Sequence, residues 1–331
     1  MKNDSKILLN QLLLAYSPLC NYDFTILKKD TIIQEAIENS SLYVIGQRAE
    51  IRFDNIVNNE EQKLIEFEIR QYNNPHILKC KVPLFQEHIA TDPEKEVILY
   101  LGSNDINNDF KKRPISNIHG MKFYEKSVSD ENFLIWFSPE KFLQNYWKGH
   151  LIADIEGNIH EFTKYKVHYV GQATKQDIWK RLTGHDKLQD ILSLEYPLTY
   201  GVLPTHEIAI LLFNFQENLQ MQSFGDNSSI EEMVNSFMGK NMPEQRTIFL
   251  DAEKALIKAM QPKYNDELFK SYPKSVDGLY KHKYNSILYS FIDPITLVYD
   301  EGEIVGGLTS MGRDTIIVQN NKTIELLKHE K

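Results

Sequence analysis

Residues 167–185 read VHYVGQATKQDIWKRLTGH, and the fold of the chain turns on how that stretch is read. The aromatic and β-branched residues up to Gly171 suit a strand. Beyond them Ile178, Leu182, Leu188 and Ile191 recur at roughly helical spacing, which predicts a helix over 176–192, or two helices broken at Gly184. The strand ends in Tyr169-Val170-Gly171, where a glycine allows a tight turn into the helix. Arg181 and His185 lie four residues apart, the spacing that sets two side chains on one helical face. A tyrosine, a guanidinium fork and an imidazole would then point at one place.

The charge pattern agrees. Between residues 163 and 190, six Lys and Arg face three Asp, a basic island in a chain whose formal net charge is −9. Phosphate binding needs local positive charge rather than a basic chain, so Lys175, Lys180 and Lys187 are candidate nucleic-acid contacts. A solvated helix face would give the same count.

The flanking elements follow from their own patterns. HLIADIEG (150–157) reads as a strand near 150–156. THEIAILLFNF (205–215) has the continuous apolar run of a central strand near 206–214. TIFLDAEKALIKAMQPKYN (247–265) predicts a helix over 251–261 stopped by Pro262, with Glu253 in its first turn. The order strand, strand, helix, strand, helix describes a small α/β layer on a three-stranded central sheet.

Upstream, residues 1–40 read as helical. The opening MKNDSKILLNQLLLAYSPLC reads as an amphipathic helix rather than a signal peptide, because Asn10 and Gln11 break its apolar run and no small-residue cleavage site follows. Residues 41–125 are short strand-like runs between Asn- and Asp-rich breaks. SPEKFLQNYWKG (138–149) is a helix with Ser138 as N-cap and Gly149 past its end. The tail carries two further strand-like runs. The expectation is an α+β protein in three parts: a helix plus β-rich recognition or partner domain at 1–145, the α/β layer at 146–273, and a β-rich extension at 274–331. The two cysteines, Cys20 and Cys80, exclude a disulfide scaffold and a Cys-rich zinc site and fit a reducing cytoplasm. No apolar stretch approaches a membrane span.

Two strings taken together carry a resemblance. YVGQAT…IWKRLTGH resembles the second motif and following helix of the GIY-YIG nuclease superfamily. EKALIKAMQPKYN resembles that family's closing motif, a glutamate followed by Leu-Ile and then Pro-x-Tyr-Asn, with Asn265 twelve residues after Glu253. The resemblance covers about residues 150–270. It implies a metal-dependent endonuclease hydrolysing phosphodiester bonds in DNA, with Tyr169, Arg181, His185 and Glu253 as the catalytic set, Asn265 as a supporting contact, and Mg²⁺ or another divalent cation such as Mn²⁺ held by Glu253. The residue chemistry is consistent with that. Arg181 offers a fork matched to phosphate, and Glu253 is a hard oxygen ligand suited to Mg²⁺, which takes few protein carboxylates and keeps its waters.

The family's first motif, Gly-Ile-Tyr on the first strand, is not evident. HLIADIEG offers Ile152 and Asp154 at the corresponding positions, and NIHEF offers His160, whose imidazole suits a general base. The alternative expectation is therefore a catalytically decayed nucleic-acid-binding or assembly module. Other chemistry has the least support, since no phosphate-cradling glycine loop, dinucleotide fingerprint, HExxH or CxxC is present. A homo-oligomer is the expected route to double-strand cutting.

Overall fold

The computed structural model describes residues 5–38, 40–126, 130–174, 177–226 and 228–329. Helices and sheets are both present, with strands the larger share, as expected for an α+β chain rich in β-structure. The chain forms two compact units that do not follow the three consecutive segments expected from the sequence. Unit 1 comprises Met1–Arg48, Lys164–Tyr196 and Pro204–Lys331; unit 2 comprises Ala49–Thr163 and Pro197–Leu203.

Unit 1 is built on a ten-stranded sheet. Its order is Gly302–Val305, Thr296–Tyr299, Lys164–Gln172, Leu42–Gln47, Ile208–Ser223, Ser5–Leu14, Ser286–Phe291, Thr315–Gln319 and Thr323–Leu327, with Leu19–Cys20 pairing alongside Ile208–Ser223. The neighbour of the Tyr169 strand is therefore Leu42–Gln47 and not the expected 150–156. This strand, LYVIGQ, is buried at all six positions, the pattern of a central strand covered on both faces. It runs antiparallel to both Lys164–Gln172 and Ile208–Ser223. The Asp154–Glu156 strand belongs to a sheet of unit 2, where it pairs with Leu78–Pro83.

The opening residues also differ from expectation. Ser5–Leu14 is a strand, and from Leu8 to Leu14 every second residue is buried. A period of two argues a strand, but the leucine-rich run masks it in the sequence. Pairing on both sides settles the matter: Ile208–Ser223 antiparallel on one, Ser286–Phe291 parallel on the other. Two short helices, Asn21–Leu27 and Thr31–Ile37, remain of the predicted helical segment. The tail is not an appendage, since its strands complete both ends of the same sheet.

The expected central strand at 206–214 begins at Ile208, after the short helix Pro204–Glu207, and continues past its expected end to Ser223. The predicted helix at 176–192 is two, Ile178–Thr183 and Asp186–Leu194, broken at Gly184. The closing helix begins six residues earlier than predicted, at Gln245, and ends at Met260 with Gln261 in the left-handed region before Pro262. Glu253 consequently sits mid-helix, beyond reach of the N-terminal dipole.

Unit 2 holds a four-stranded sheet, a three-stranded sheet and the helix Pro139–Trp147, whose N-cap is Ser138 as expected. Phe142 of that helix packs edge-on against Phe67 and Phe137, with ring centroids 5.1 and 6.0 Å away. Aromatic rings in such geometry supply large apolar area plus roughly 1 kcal/mol per pair.

The register sets Gln47 opposite Lys166, so Arg48 and Tyr165 leave the ladder side by side. Replacing residues 49–163 by a short Asn-Gly turn between them should leave unit 1 folded. A single cooperative thermal transition with native-like far-UV circular dichroism is the expected result; an unfolded product would contradict the insertion topology.

Candidate active site

The Tyr169 strand approaches its neighbour so that Gly171 lies opposite Tyr43. Glycine is needed there for space. A β-carbon would stand 2.5 Å from Tyr169 Cε1 and 2.6 Å from Tyr43 Cζ and Oη, distances at which backbone or rings must move. A bulge between Val167 and Tyr169 shifts the register, the kind of irregularity that re-aims side chains beside functional sites. Tyr43 and Tyr169 thus come together, with ring centroids 6.0 Å apart, and His185 stands edge-on to both at 5.6 and 4.9 Å.

His185 arrives by a route other than the expected one. It is not on the Arg181 helix but is the N-cap of Asp186–Leu194, where its Nδ1 accepts the Leu188 N–H at 3.2 Å. A ring nitrogen that accepts carries no proton, so the neutral ring holds its hydrogen on Nε2. Nε2 lies 2.6 Å from Tyr43 Oη and donates to it. Arg181 Nε donates to the same oxygen at 3.2 Å. Two donors on Tyr43 Oη leave its own proton directed elsewhere, toward the neighbouring Tyr169 hydroxyl.

Burial, followed by the charge of Arg181, lowers the His185 imidazole to about 4, so the ring is neutral at pH 7. Burial also pushes the Tyr43 hydroxyl up, with Tyr169 adding to the rise and Arg181 opposing it. Burial alone would lower the Arg181 guanidinium, but the two tyrosine oxygens more than offset this and hold it up. Arg181 forms no helix pair with Asp177, whose carboxylate caps its own helix by accepting from the Trp179 N–H at 2.7 Å.

Tyr169, Arg181, His185 and Glu253 all line one cleft of about 330 Å³, together with Lys187 and Asn265. Burial raises the Glu253 carboxyl to about 7, with Lys254 and Arg181 pulling the other way. It makes no hydrogen bond to any described residue. A half-buried carboxylate facing a cleft with only charge for company is suited to receive a cation.

Asn265 is fixed by the backbone. Its carboxamide accepts the Val170 N–H at 3.0 Å and donates to the Val170 carbonyl at 2.8 Å, imitating the next strand at an edge that Thr296–Tyr299 leaves uncovered. The Tyr264 N–H joins in by donating to the His168 carbonyl at 3.1 Å. Lys187 is engaged with Asp266 at 2.9 Å. Lys180 is exposed on the Arg181 helix and does not line the cleft, and Lys175 lies outside the described residues. His160 is in a 3₁₀ turn of unit 2, Ile159–Phe162, and is not a cleft residue. Ile152 and Asp154 are in unit 2 as well. The residue missed in the sequence is Tyr43; the signal was LYVIG, an apolar strand ending in glycine, read without a partner.

Among the described residues no three His, Cys, Asp or Glu side chains gather as a metal-ligand set, and no helix is long and apolar enough to cross a membrane. Compared with family models, curated proteins and solved structures, the chain finds no match.

Because the folded chain holds the Glu253 proton more tightly than the unfolded chain, this group's contribution to stability is complete below about pH 4.5 and lost as pH rises through about 7. Glu253→Gln should match the wild type in Tm near pH 4.5 and exceed it above pH 7, in chelator. Adding Mg²⁺ should reverse the order above pH 7 by raising only the wild-type Tm. Scanning calorimetry across that range checks both.

Proposed function

We propose that unit 1 is a GIY-YIG-type endonuclease that hydrolyses DNA phosphodiester bonds with Mg²⁺ or Mn²⁺ at Glu253. The observation that carries this reading is the convergence of Tyr169, Arg181, His185 and Glu253, brought from four separate elements to one cleft, with Tyr43 of a fifth element buried behind them. Tyr43 supplies the tyrosine that the resemblance requires on the first strand, ahead of unit 2 in the sequence. The decayed-module alternative rested on that tyrosine's absence and on the net charge of −9. The free cysteines Cys20 and Cys80 support a reducing, cytoplasmic setting.

Hydrolysis needs a water stripped of a proton, a charge for the phosphate oxygens and relief for the leaving oxygen. Tyr169, which lines the cleft, is the group placed to contact that water, while the buried Tyr43 behind it fixes Tyr169, His185 and Arg181 in position. His185 is a donor and not a base here, since its only free nitrogen proton is on Nε2 and its Nδ1 is occupied. Arg181 links the tyrosines to the phosphate site through its remaining fork atoms. A divalent cation at Glu253 would supply Lewis-acid stabilisation of the phosphate and leaving oxygens. Glu253 must be ionised to hold it, and the cation would favour that form, so cleavage should rise with pH at a midpoint below about 7 that falls as Mg²⁺ is increased.

Nicking of supercoiled plasmid in Mg²⁺ tests the reading. Glu253→Ala should abolish cleavage while retaining DNA binding. Tyr43→Phe should slow it on the order of 10²-fold, because His185 and Arg181 lose the oxygen that positions them. Arg181→Ala should be inactive and Arg181→Lys should not rescue it, because a point charge lacks the fork. His160→Ala should cleave as the wild type does. Cleavage that survives Glu253→Ala would sink the proposal.

A further inference from the structure

The outer face of the four-stranded sheet in unit 2 is a lattice of charge. Four of the six cross-strand pairs of charged residues are complementary. Glu68 lies opposite Lys79 and Glu66 opposite Lys81, and on the next strand Lys79 faces Glu156 and Lys81 faces Asp154. The ladder between Ile51–Asn59 and Leu64–Gln71 breaks the pattern. Arg52 lies directly opposite Arg70, and Asp54 directly opposite Glu68. Like charges in register, with β-carbons roughly 5 Å apart, destabilise a sheet. Exchanging the residues of one strand would have made both pairs complementary, so folding alone does not account for the arrangement.

The geometry shows what the arrangement favours. Arg52 Nε donates to Asp54 Oδ2 at 3.1 Å and Arg70 Nε donates to Glu68 Oε2 at 2.7 Å. Each carboxylate is itself held in place. Asp54 Oδ1 accepts the Asn117 N–H at 2.6 Å, and Glu68 Oε2 accepts from Asn55 Nδ2 at 2.8 Å. Asp54 and Glu68 are 9% and 20% exposed, and the arginines above them 36% and 38%. Both guanidiniums are therefore anchored from beneath through Nε, and their terminal NH₂ groups have no protein acceptor among the described residues. They open into a polar cleft of about 450 Å³ whose other walls are Asn55, Ser116, Asn117 and the Asp54 carboxylate that holds Arg52. Asn55 (φ 55°) and Asn117 (φ 59°) both take the left-handed backbone conformation that shapes this wall.

Two preorganised forks side by side are a receptor for a tetrahedral oxyanion, which each can bind bidentately. We propose that Arg52 and Arg70 form a binding site for one phosphate group, carried either by free phosphate or by the end of a nucleic acid strand. The size of the ligand follows from the rest of the face. With five carboxylates against four cations, that face repels an extended polyanion and tolerates one phosphate only where the arginines meet. The site is separate from the Arg181 cleft and does not depend on the nuclease reading.

Titration calorimetry with inorganic phosphate, at ionic strength held constant with chloride, tests the site on the full chain. It should be run in the Arg181→Ala background so that the unit 1 cleft does not contribute. Saturable binding is expected, lost in R52Q/R70Q and weakened at least tenfold in R52K/R70K. The lysine variant keeps the charge lattice, so it decides the matter if the glutamine variant fails to fold. Competition with oligonucleotides separates the sources. Displacement by a 5′-phosphorylated strand but not by its 5′-hydroxyl counterpart would assign a nucleic acid end; displacement by neither would assign free phosphate. Absence of saturable binding, or an affinity unchanged in R52K/R70K, would overturn the proposal.

Discussion

The register that sets Gly171 opposite Tyr43 is the constraint on which the site depends. Two tyrosine rings, an imidazole and a guanidinium must share the space above one strand end, and only a residue without a β-carbon leaves it free. A slip of one residue would turn Tyr43 to the other face of the sheet, taking with it the oxygen on which His185 and Arg181 converge. The continuous burial of Leu42–Gln47 between two antiparallel neighbours makes such a slip costly.

The helix that bears Glu253 is held by a different kind of interaction. Asp251, buried two residues earlier, accepts hydrogen bonds from the Tyr272 and Tyr289 hydroxyls and from the Leu279 N–H, all at 2.7 Å. Burial raises this carboxyl, while the three donors act against the rise. A carboxylate in that position is tolerated because its lone pairs are satisfied. Two of the three donors, Leu279 and Tyr289, come from the 274–331 segment, so the tail that looked like an extension ties the Glu253 helix to the sheet. His185 shows the same economy, since one ring caps a helix with Nδ1 and polarises a tyrosine with Nε2.

Unit 2 enters the chain between two adjacent strands of unit 1, and its own devices are local. The Ser138 cap, the Phe142 aromatic cluster and the alternating charges of its outer sheet face each follow rules of neighbouring residues. Its one departure from those rules, the arginine pair, marks the place where its surface is specialised. The strand at 154–156 was assigned to the wrong sheet because a three-residue strand carries no information about its partner.

By itself the sequence determined the elements whose signals are local. These are the apolar first part of the Ile208–Ser223 strand, the helical pattern on either side of Gly184, the Ser138 cap, and the four residues Tyr169, Arg181, His185 and Glu253 that line one cleft. The strand and helix faces are legible because spacing translates into direction, although His185 reaches the cleft as the cap of the next helix and Glu253 from mid-helix. Tertiary structure alone decided the rest. Tyr43 is 126 positions from Tyr169 in the chain yet one strand away in the sheet, and no local pattern encodes a pairing across an inserted unit. Ser5–Leu14 carries a leucine run compatible with either periodicity, and it is a strand because two other strands bond to it. Strand pairing is a non-local choice made by the burial and hydrogen bonding of the whole sheet, which is why the first tyrosine stayed hidden until its neighbour was known.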